Sequence, residues 1–259
     1  MKKLQPMKVM GHALQSMFSN LAFAFHISWP WMLLIFPLNV AAAIYKTWNG
    51  IAAKNVFNAN GSGPDFAIAM AGLIAFASIA VSWHRYILKD EVPQGLARLR
   101  LDSVVWRYVG NSILLFLIFF AIGLPFGFLA WAISTAIGLA GTVVFVAILF
   151  LAALSTSYRL SIKLPSIAME RTDIRFADAW RMTSGNFWQF MGLGVVFLLI
   201  LLGVGLAVGA ITSVVGLTSS TLLLVLIIAI QQVVNWVATI LGVTLLTSLY
   251  GFFVEGREF

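Results

Sequence analysis

Long runs of apolar residues, separated by short polar stretches, are the main pattern along this chain. A helix needs about 20 residues to cross the roughly 30 Å hydrocarbon core of a bilayer. Six runs have about this length, at residues 21–44, 66–84, 108–131, 137–157, 190–213 and 222–250. None alternates polar and apolar residues as the strands of a membrane barrel do. The pattern therefore predicts an all-α integral membrane protein with six transmembrane helices.

The composition supports the same fold class. Of the 259 residues, 61% are apolar and 10% are charged, whereas soluble domains carry about 45–50% apolar and about 25% charged residues. The chain has no cysteine, which excludes disulfides, thiol catalysis and thiolate ligation of zinc or iron–sulfur clusters. We expect a single polytopic membrane domain over residues 1–259 and no soluble domain.

The basic residues predict the orientation, because lysine and arginine accumulate in cytoplasmic loops. With both termini in the cytoplasm, fourteen of the 16 lysines and arginines fall inside, and only Lys46 and Lys54 fall outside. This distribution also accounts for the net charge of +7, since a basic inner rim lies against anionic lipid head groups. Phospholipids are therefore expected partners, and nucleic acid is not needed to explain the charge.

Three short segments before odd-numbered spans resemble one another. They read SMFSN, WRYVGN and WRMTSGN, and end at Asn20, Asn111 and Asn186. We interpret them as marking three repeats, with units of residues 1–90, 91–165 and 166–259, each an interfacial amphipathic helix followed by a two-span hairpin. Chance similarity between such short segments is the alternative.

The third of these segments has the clearest amphipathic pattern. Apolar residues at helical spacing define one face, made of Phe176, Trp180, Phe187 and Met191. Polar residues define the other face, made of Asp178, Arg181 and Gln189. A helix of this kind lies in the head-group plane, and Asp173 is a plausible N-cap for it. The second segment, residues 94–107, is less regular and is also compatible with a short extended stretch.

No enzymatic motif is found in the sequence. HExxH, GxSxG, P-loop and GxGxxG patterns are missing, and every charged residue lies at or beyond a predicted span end. His26 is the one titratable side chain placed inside a span. The sequence thus predicts a protein that is not an enzyme and has no metal site.

The second span leaves the membrane through the run SWHRYILKDEVP, which is rich in cations and aromatic residues. Cations at interface depth contact lipid phosphate or act as snorkelling anchors that fix depth. The candidate head-group contacts are His84, Arg85, Lys89, Arg98 and Arg181.

The sixth span carries an unusual polar face in the middle of the membrane, made of Gln231, Gln232, Asn235 and Thr239. Amides in lipid require hydrogen-bonding partners, so this face is expected to form interhelical hydrogen bonds or to line a polar path. In addition, His26 and His84 lie at similar predicted depth on adjacent spans. Two such imidazoles are able to ligate haem or another porphyrin, although a histidine bonded to neighbouring backbone is the commoner arrangement. We predict no cofactor other than bound phospholipid.

Glycine pairs at GxxxG spacing occur in the third and fifth spans, as Gly123 and Gly127 and as Gly205 and Gly209. Small residues at this spacing let two helices approach closely. We expect them to serve packing within the bundle or between copies.

The loop KLPSIAMERTDIRFADAWRMTSGNFWQFMG contains, in order, Pro165, Glu170, Ala179-Trp180-Arg181 and Gly185-Asn186-Phe187-Trp188. With these features the chain resembles bacterial six-span inner-membrane proteins of the YciC type, and the membrane domain found N-terminal to some glycerophosphodiester phosphodiesterases. The resemblance implies a location in the bacterial cytoplasmic membrane. The catalytic domain of those phosphodiesterases has no counterpart here, so their activity is not implied.

These observations favour a non-enzymatic membrane protein that acts by association, as an accessory subunit of a larger complex or as a homo-oligomer. Other membrane subunits, or further copies of this chain, are then its protein partners. The alternative is a transporter or lipid-handling protein whose path is lined by the sixth span. The third hypothesis is haem or pigment binding through His26 and His84.

Overall fold

The computed structural model describes residues 3–48, 63–92, 99–215 and 221–258. All regular structure in these ranges is α-helical. The helices are α1 (Pro6–Ser19), α2 (Leu21–Trp48), α3 (Gly63–Lys89), α4 (Ser103–Ser161), α5 (Lys163–Ala168), α6 (Phe176–Met182), α7 (Phe187–Val215) and α8 (Thr221–Phe253).

Six segments of the described chain are long and apolar enough to cross a membrane, which confirms the predicted all-α, six-span class. They are Leu21–Tyr45, Asp65–Lys89, Ser103–Ser134, Ala136–Ala168, Phe187–Ala210 and Val225–Phe253. Several helices continue beyond the apolar runs, because helical hydrogen bonding does not stop where the hydrocarbon ends.

Helix α4 supplies two of the spans, as two arms that meet at Gly138. This residue has φ 65° and ψ −180°, a backbone conformation that glycine adopts readily because it has no Cβ. Side chains from residues 119–130 and from residues 146–156 line one shared groove, so the arms run side by side as a hairpin.

The helices pack most closely at one end of the bundle, which we call the basic end because Arg85, Arg100, Arg107 and Arg159 lie there. The opposite end, near Gly138, is the far end. At the basic end, α1 lays a buried face of Val9, Met10, Ala13 and Met17 against α7 and α8. The largest fully buried side chains belong to this core, among them Trp83, His84, Tyr108, Phe190 and Tyr250.

Packing is much looser toward the far end. Helix α8 is buried almost continuously from Ile240 to Gly251, but residues 225–239 of the same helix are half-buried or exposed. Both arms of α4 expose large apolar side chains around most of their circumference, for example Phe116, Phe120 and Ile148. The most closely packed part of the molecule is therefore the basic end.

The predicted amphipathic segments differ from the structure in three respects. The third amphipathic segment is not one helix, because α6 ends at Met182 and α7 begins only at Phe187. Gly185, with φ 75°, lies in the turn between them. Asp173 is not the N-cap of α6, since the Arg175 amide opens the helix by donating to Asp178 at 2.9 Å and Asp173 accepts from Arg171.

The second segment forms no separate helix in its described part. Residues 99–102 are irregular, and the chain then enters α4 directly at Ser103. Asp102 fixes this start, because its carboxylate accepts from the Val105 amide at 3.1 Å and so caps the first turn. The proposed division into three repeats stays a prediction.

The Asp102 cap leads to a prediction about pH. Burial alone raises the pKa of this carboxyl, but the Arg100 guanidinium at 2.7 Å and the Val105 amide outweigh burial and lower it. The folded pKa then lies below the unfolded value of about 3.9, so the contribution to stability is complete above that pH and disappears as the pH falls through the folded value. We expect Asp102→Asn, which keeps a capping oxygen, to remove this pH dependence. Thermal unfolding of both proteins in detergent between about pH 2 and 6 measures it, and identical pH profiles would contradict the assignment.

Candidate functional site

Polar groups inside the bundle are concentrated in two places. One is the ionic and hydrogen-bonded cluster at the basic end. The other is a cavity between α2, α3 and α8, halfway along those helices. The residues predicted from the sequence are distributed between the two.

His84 lies in the core of the basic end with no exposed surface. Its Nδ1 is 2.8 Å from the Thr247 hydroxyl on α8, and its Nε2 is 3.4 Å from the Tyr108 hydroxyl on α4. Both ring nitrogens therefore have protein partners, and His84 connects three helices. For His84 to contact lipid or a porphyrin, it must first give up its hydrogen bonds to Thr247 and Tyr108. The other histidine of the predicted pair, His26, is half-buried on α2.

Arg85 is the centre of an ion-pair cluster rather than an exposed cation. Its guanidinium donates to Glu91 at 2.7 Å, to Glu170 at 3.2 Å and to the Ala168 carbonyl at 3.3 Å, and its side chain is 13% exposed. Arg100 also pairs with Glu91, at 3.4 Å. The cluster ties the end of α3 to the segment that follows α5. These carboxylates compete with lipid phosphate for Arg85.

Arg159, near the end of α4, is a buried cation, and it is one of the fourteen basic residues from which the sequence predicts the orientation. Its Nε donates to the Thr183 hydroxyl and its Nη2 to the Trp180 carbonyl, both at 2.9 Å. The guanidinium also lies 3.4 Å from the centre of the Trp180 ring. It therefore joins α4 to α6. A charged residue at a span end beside an aromatic-rich helix was the only sequence signal for this contact.

The remaining predicted head-group contacts fall into two groups. Lys89 and Arg181 are exposed at the basic end, where an anionic head group has access to them. Arg98 lies outside the described residues. The structure thus separates exposed cations from cations that already bind carboxylates or carbonyls.

The cavity between α2, α3 and α8 has a volume of about 110 Å³. Three polar residues of α8, Gln232, Asn235 and Thr239, contribute to its wall. Each of the three helices also contributes an aromatic side chain to the lining, namely Trp31, Phe76 and Trp236. Gln231 and Asn235 are both exposed, but only Asn235 belongs to the lining, so Gln231 is the one predicted residue of this face that does not meet the cavity.

The carboxamides of the cavity are not used inside the bundle. Within the described ranges, the side chains of Gln232 and Asn235 make no hydrogen bond, whereas the Thr239 hydroxyl donates to the Asn235 carbonyl at 2.7 Å. Trp31 is held in place, because its indole N–H donates to the Ser78 hydroxyl at 3.0 Å. The site is neutral and able both to donate and to accept hydrogen bonds.

The described part of the chain contains no group of three or more histidine and acidic side chains arranged to hold an ion. Its polar groups suit structural hydrogen bonding at the basic end and recognition of neutral groups in the cavity.

No family model, no curated protein and no solved structure matches this chain. The resemblance to YciC-type membrane proteins stays a prediction based on the loop between α4 and α7. What the residues and the fold establish is a multi-pass, all-α membrane protein.

Proposed function

We propose that this protein is a non-enzymatic membrane protein that acts by association within the bilayer, as a homo-oligomer or as an accessory subunit of a larger complex. We place it in the cytoplasmic membrane of a bacterium with both termini inside. The gathering of its arginines at the basic end supports that orientation, because cytoplasmic loops are the basic ones.

The observation that carries the association proposal is the open surroundings of three of these glycines. A Cβ placed on Gly123, Gly127 or Gly205 meets nothing within 4 Å. At these three positions the close helix contact that such spacing serves is not made within the described chain, although Gly194 on α7 packs tightly against Leu154 and Tyr158. Contacts with another protein chain supply the missing partner.

The exposed carboxamide of Gln231 on α8 gives independent support. An amide in hydrocarbon without a partner is costly, and amides on neighbouring helices bond to one another because each donates and accepts. Lipid contact at the exposed cations Lys89 and Arg181 is the second part of the proposal, since anionic lipid is attracted by about 1 kcal/mol per cation near the surface.

The test combines native mass spectrometry of the gently extracted protein with the variant Gly205→Leu. Because a Cβ at this position meets nothing within 4 Å in the single chain, the fold should be kept, while association should weaken about tenfold, equivalent to about 1.4 kcal/mol. Gly203→Leu is the matched control, equally open but on another side of α7. A wild-type monomer with neither partner nor retained lipid would overturn the proposal, as would equal loss of association in the control.

A further inference from the structure

The cavity between α2, α3 and α8 has the properties of a ligand site. It is bordered by Trp31, Met32 and Ile35 in the middle of the first span and by Gly72 to Ile79 in the middle of the second. A ligand must therefore reach it at the depth of the hydrocarbon core. Molecules present at that depth are lipid-soluble.

Hydrogen bonding determines what part of such a molecule the cavity recognises. Gln232, which is half-buried, and Asn235, which is exposed, both belong to the lining, and neither side chain has a hydrogen-bonding partner among the described residues. Leaving an amide unsatisfied in an apolar medium costs several kcal/mol, so an occupant that accepts their N–H groups is strongly favoured over hydrocarbon. Carbonyl oxygen is the acceptor group that neutral lipids carry.

The lining also excludes charged ligands and favours a flat one. Among the described residues, no lysine, arginine, aspartate or glutamate belongs to the lining, so a charged head group finds no counter-ion among them. The aromatic side chains Trp31, Phe76 and Trp236 offer surfaces against which planar groups pack favourably. Trp31 is locked by its bond to Ser78, and Trp236 makes an edge contact with Phe25 at 6.5 Å, so two of these walls are preformed.

We propose that this cavity binds the carbonyl-bearing head group of a neutral, lipid-soluble molecule, with the carboxamides of Gln232 and Asn235 as its hydrogen-bond donors. Two kinds of molecule carry this chemistry in membranes, quinones with a planar ring and neutral glycerides with ester carbonyls. The volume of about 110 Å³ exceeds several-fold the roughly 10–15 Å³ that one water molecule needs on the same measure, and it admits a head group but not a whole lipid. The apolar tail then extends into the bilayer. This inference goes beyond association and does not depend on it.

The experiment uses the full chain in nanodiscs of saturated phosphatidylcholine that contain neither quinone nor glyceride. One arm titrates decyl-benzoquinone and the other dioctanoylglycerol, with tryptophan fluorescence as the signal, because Trp31 and Trp236 line the cavity. Native mass spectrometry counts bound molecules. We expect saturable binding of one molecule in at least one arm, and the arm that saturates identifies the source of the carbonyl.

Three variants make the assignment specific. Asn235→Leu removes one donor and should weaken binding about tenfold. Gly72→Leu fills the cavity without touching the donors, and a Cβ at Gly72 meets nothing within 4 Å, so the fold should be kept. Gln231→Leu removes an amide of the same helix that does not line the cavity, and binding should be unchanged. Absence of saturable binding in both arms, or an equal loss in Gln231→Leu, would overturn the proposal.

Discussion

Replacing Trp83 by alanine is expected to lower the free energy of unfolding by about 3–5 kcal/mol, the range for removing a fully buried tryptophan. Trp83 has no exposed surface and packs at ring-centre distances of 6.2 and 6.3 Å from Phe23 and Tyr86. In a membrane protein this packing weighs heavily, because lipid is as apolar as the protein interior and helix association depends on close contact. Denaturation with sodium dodecyl sulfate, followed by circular dichroism, measures the change.

Two further variants show whether packing is the cause. The indole nitrogen of Trp83 has no hydrogen-bond partner in the described part of the protein, so Trp83→Phe loses only contact area and should cost clearly less than alanine. Trp188→Ala is the matched control, since that side chain is 70% exposed, and it should change stability by no more than about 0.5 kcal/mol. Equal losses at Trp83 and Trp188 would refute a core located at the basic end.

Replacing Arg159 by glutamine is the second large change, with an expected loss of about 3 kcal/mol. Three contacts disappear or weaken together: the charge-assisted bonds to the Thr183 hydroxyl and the Trp180 carbonyl, and the stacking on the Trp180 ring. Hydrogen bonds to charged groups contribute about 1.5–3 kcal/mol, and a desolvated cation–π contact about 2. Because the contributions of contacts made by one side chain are not additive, we expect a total loss smaller than the sum of these individual contributions.

Arg181→Gln is the control for this second prediction. It removes an arginine from α6, the helix that Arg159 contacts, but Arg181 is exposed, and surface cations contribute at most about 1 kcal/mol. The thermal midpoint in detergent should therefore fall for Arg159→Gln and stay nearly unchanged for Arg181→Gln. The reverse order would show that exposed charge, not the link between α4 and α6, holds this region together.

Arg85 and Arg181 illustrate why the role of a cation was not visible in the sequence. Both were head-group candidates by composition alone. Glu170, which pairs with Arg85, is 85 positions away in the chain, so only the approach of the loop after α5 to the end of α3 creates the pair. The sequence alone shows only that Arg85 is a cation near the end of a span. Contact with lipid is still a prediction for Lys89 and Arg181.

The α8 carboxamides show the limit of sequence reasoning for a candidate site. A polar face in the sixth span was predicted from helical spacing, and the structure includes Gln232 and Asn235 in the cavity lining but not Gln231. Spacing defines which residues share a face, whereas the rotation of a helix is set by its neighbours. Here α2 and α3 pack against α8 and decide which of the two glutamines they cover.

The sequence by itself determined the class of the protein and its six spans. The physical reason is local: each apolar run must cross the same thickness of hydrocarbon and satisfy its own backbone hydrogen bonds, so run length alone is decisive. Only the tertiary structure decided that the core lies at the basic end, that Arg85 and Arg159 bind within the protein, and that a neutral cavity forms beside Asn235. These features depend on contacts between residues far apart in the chain, and no local pattern encodes which helices meet or which of their faces touch.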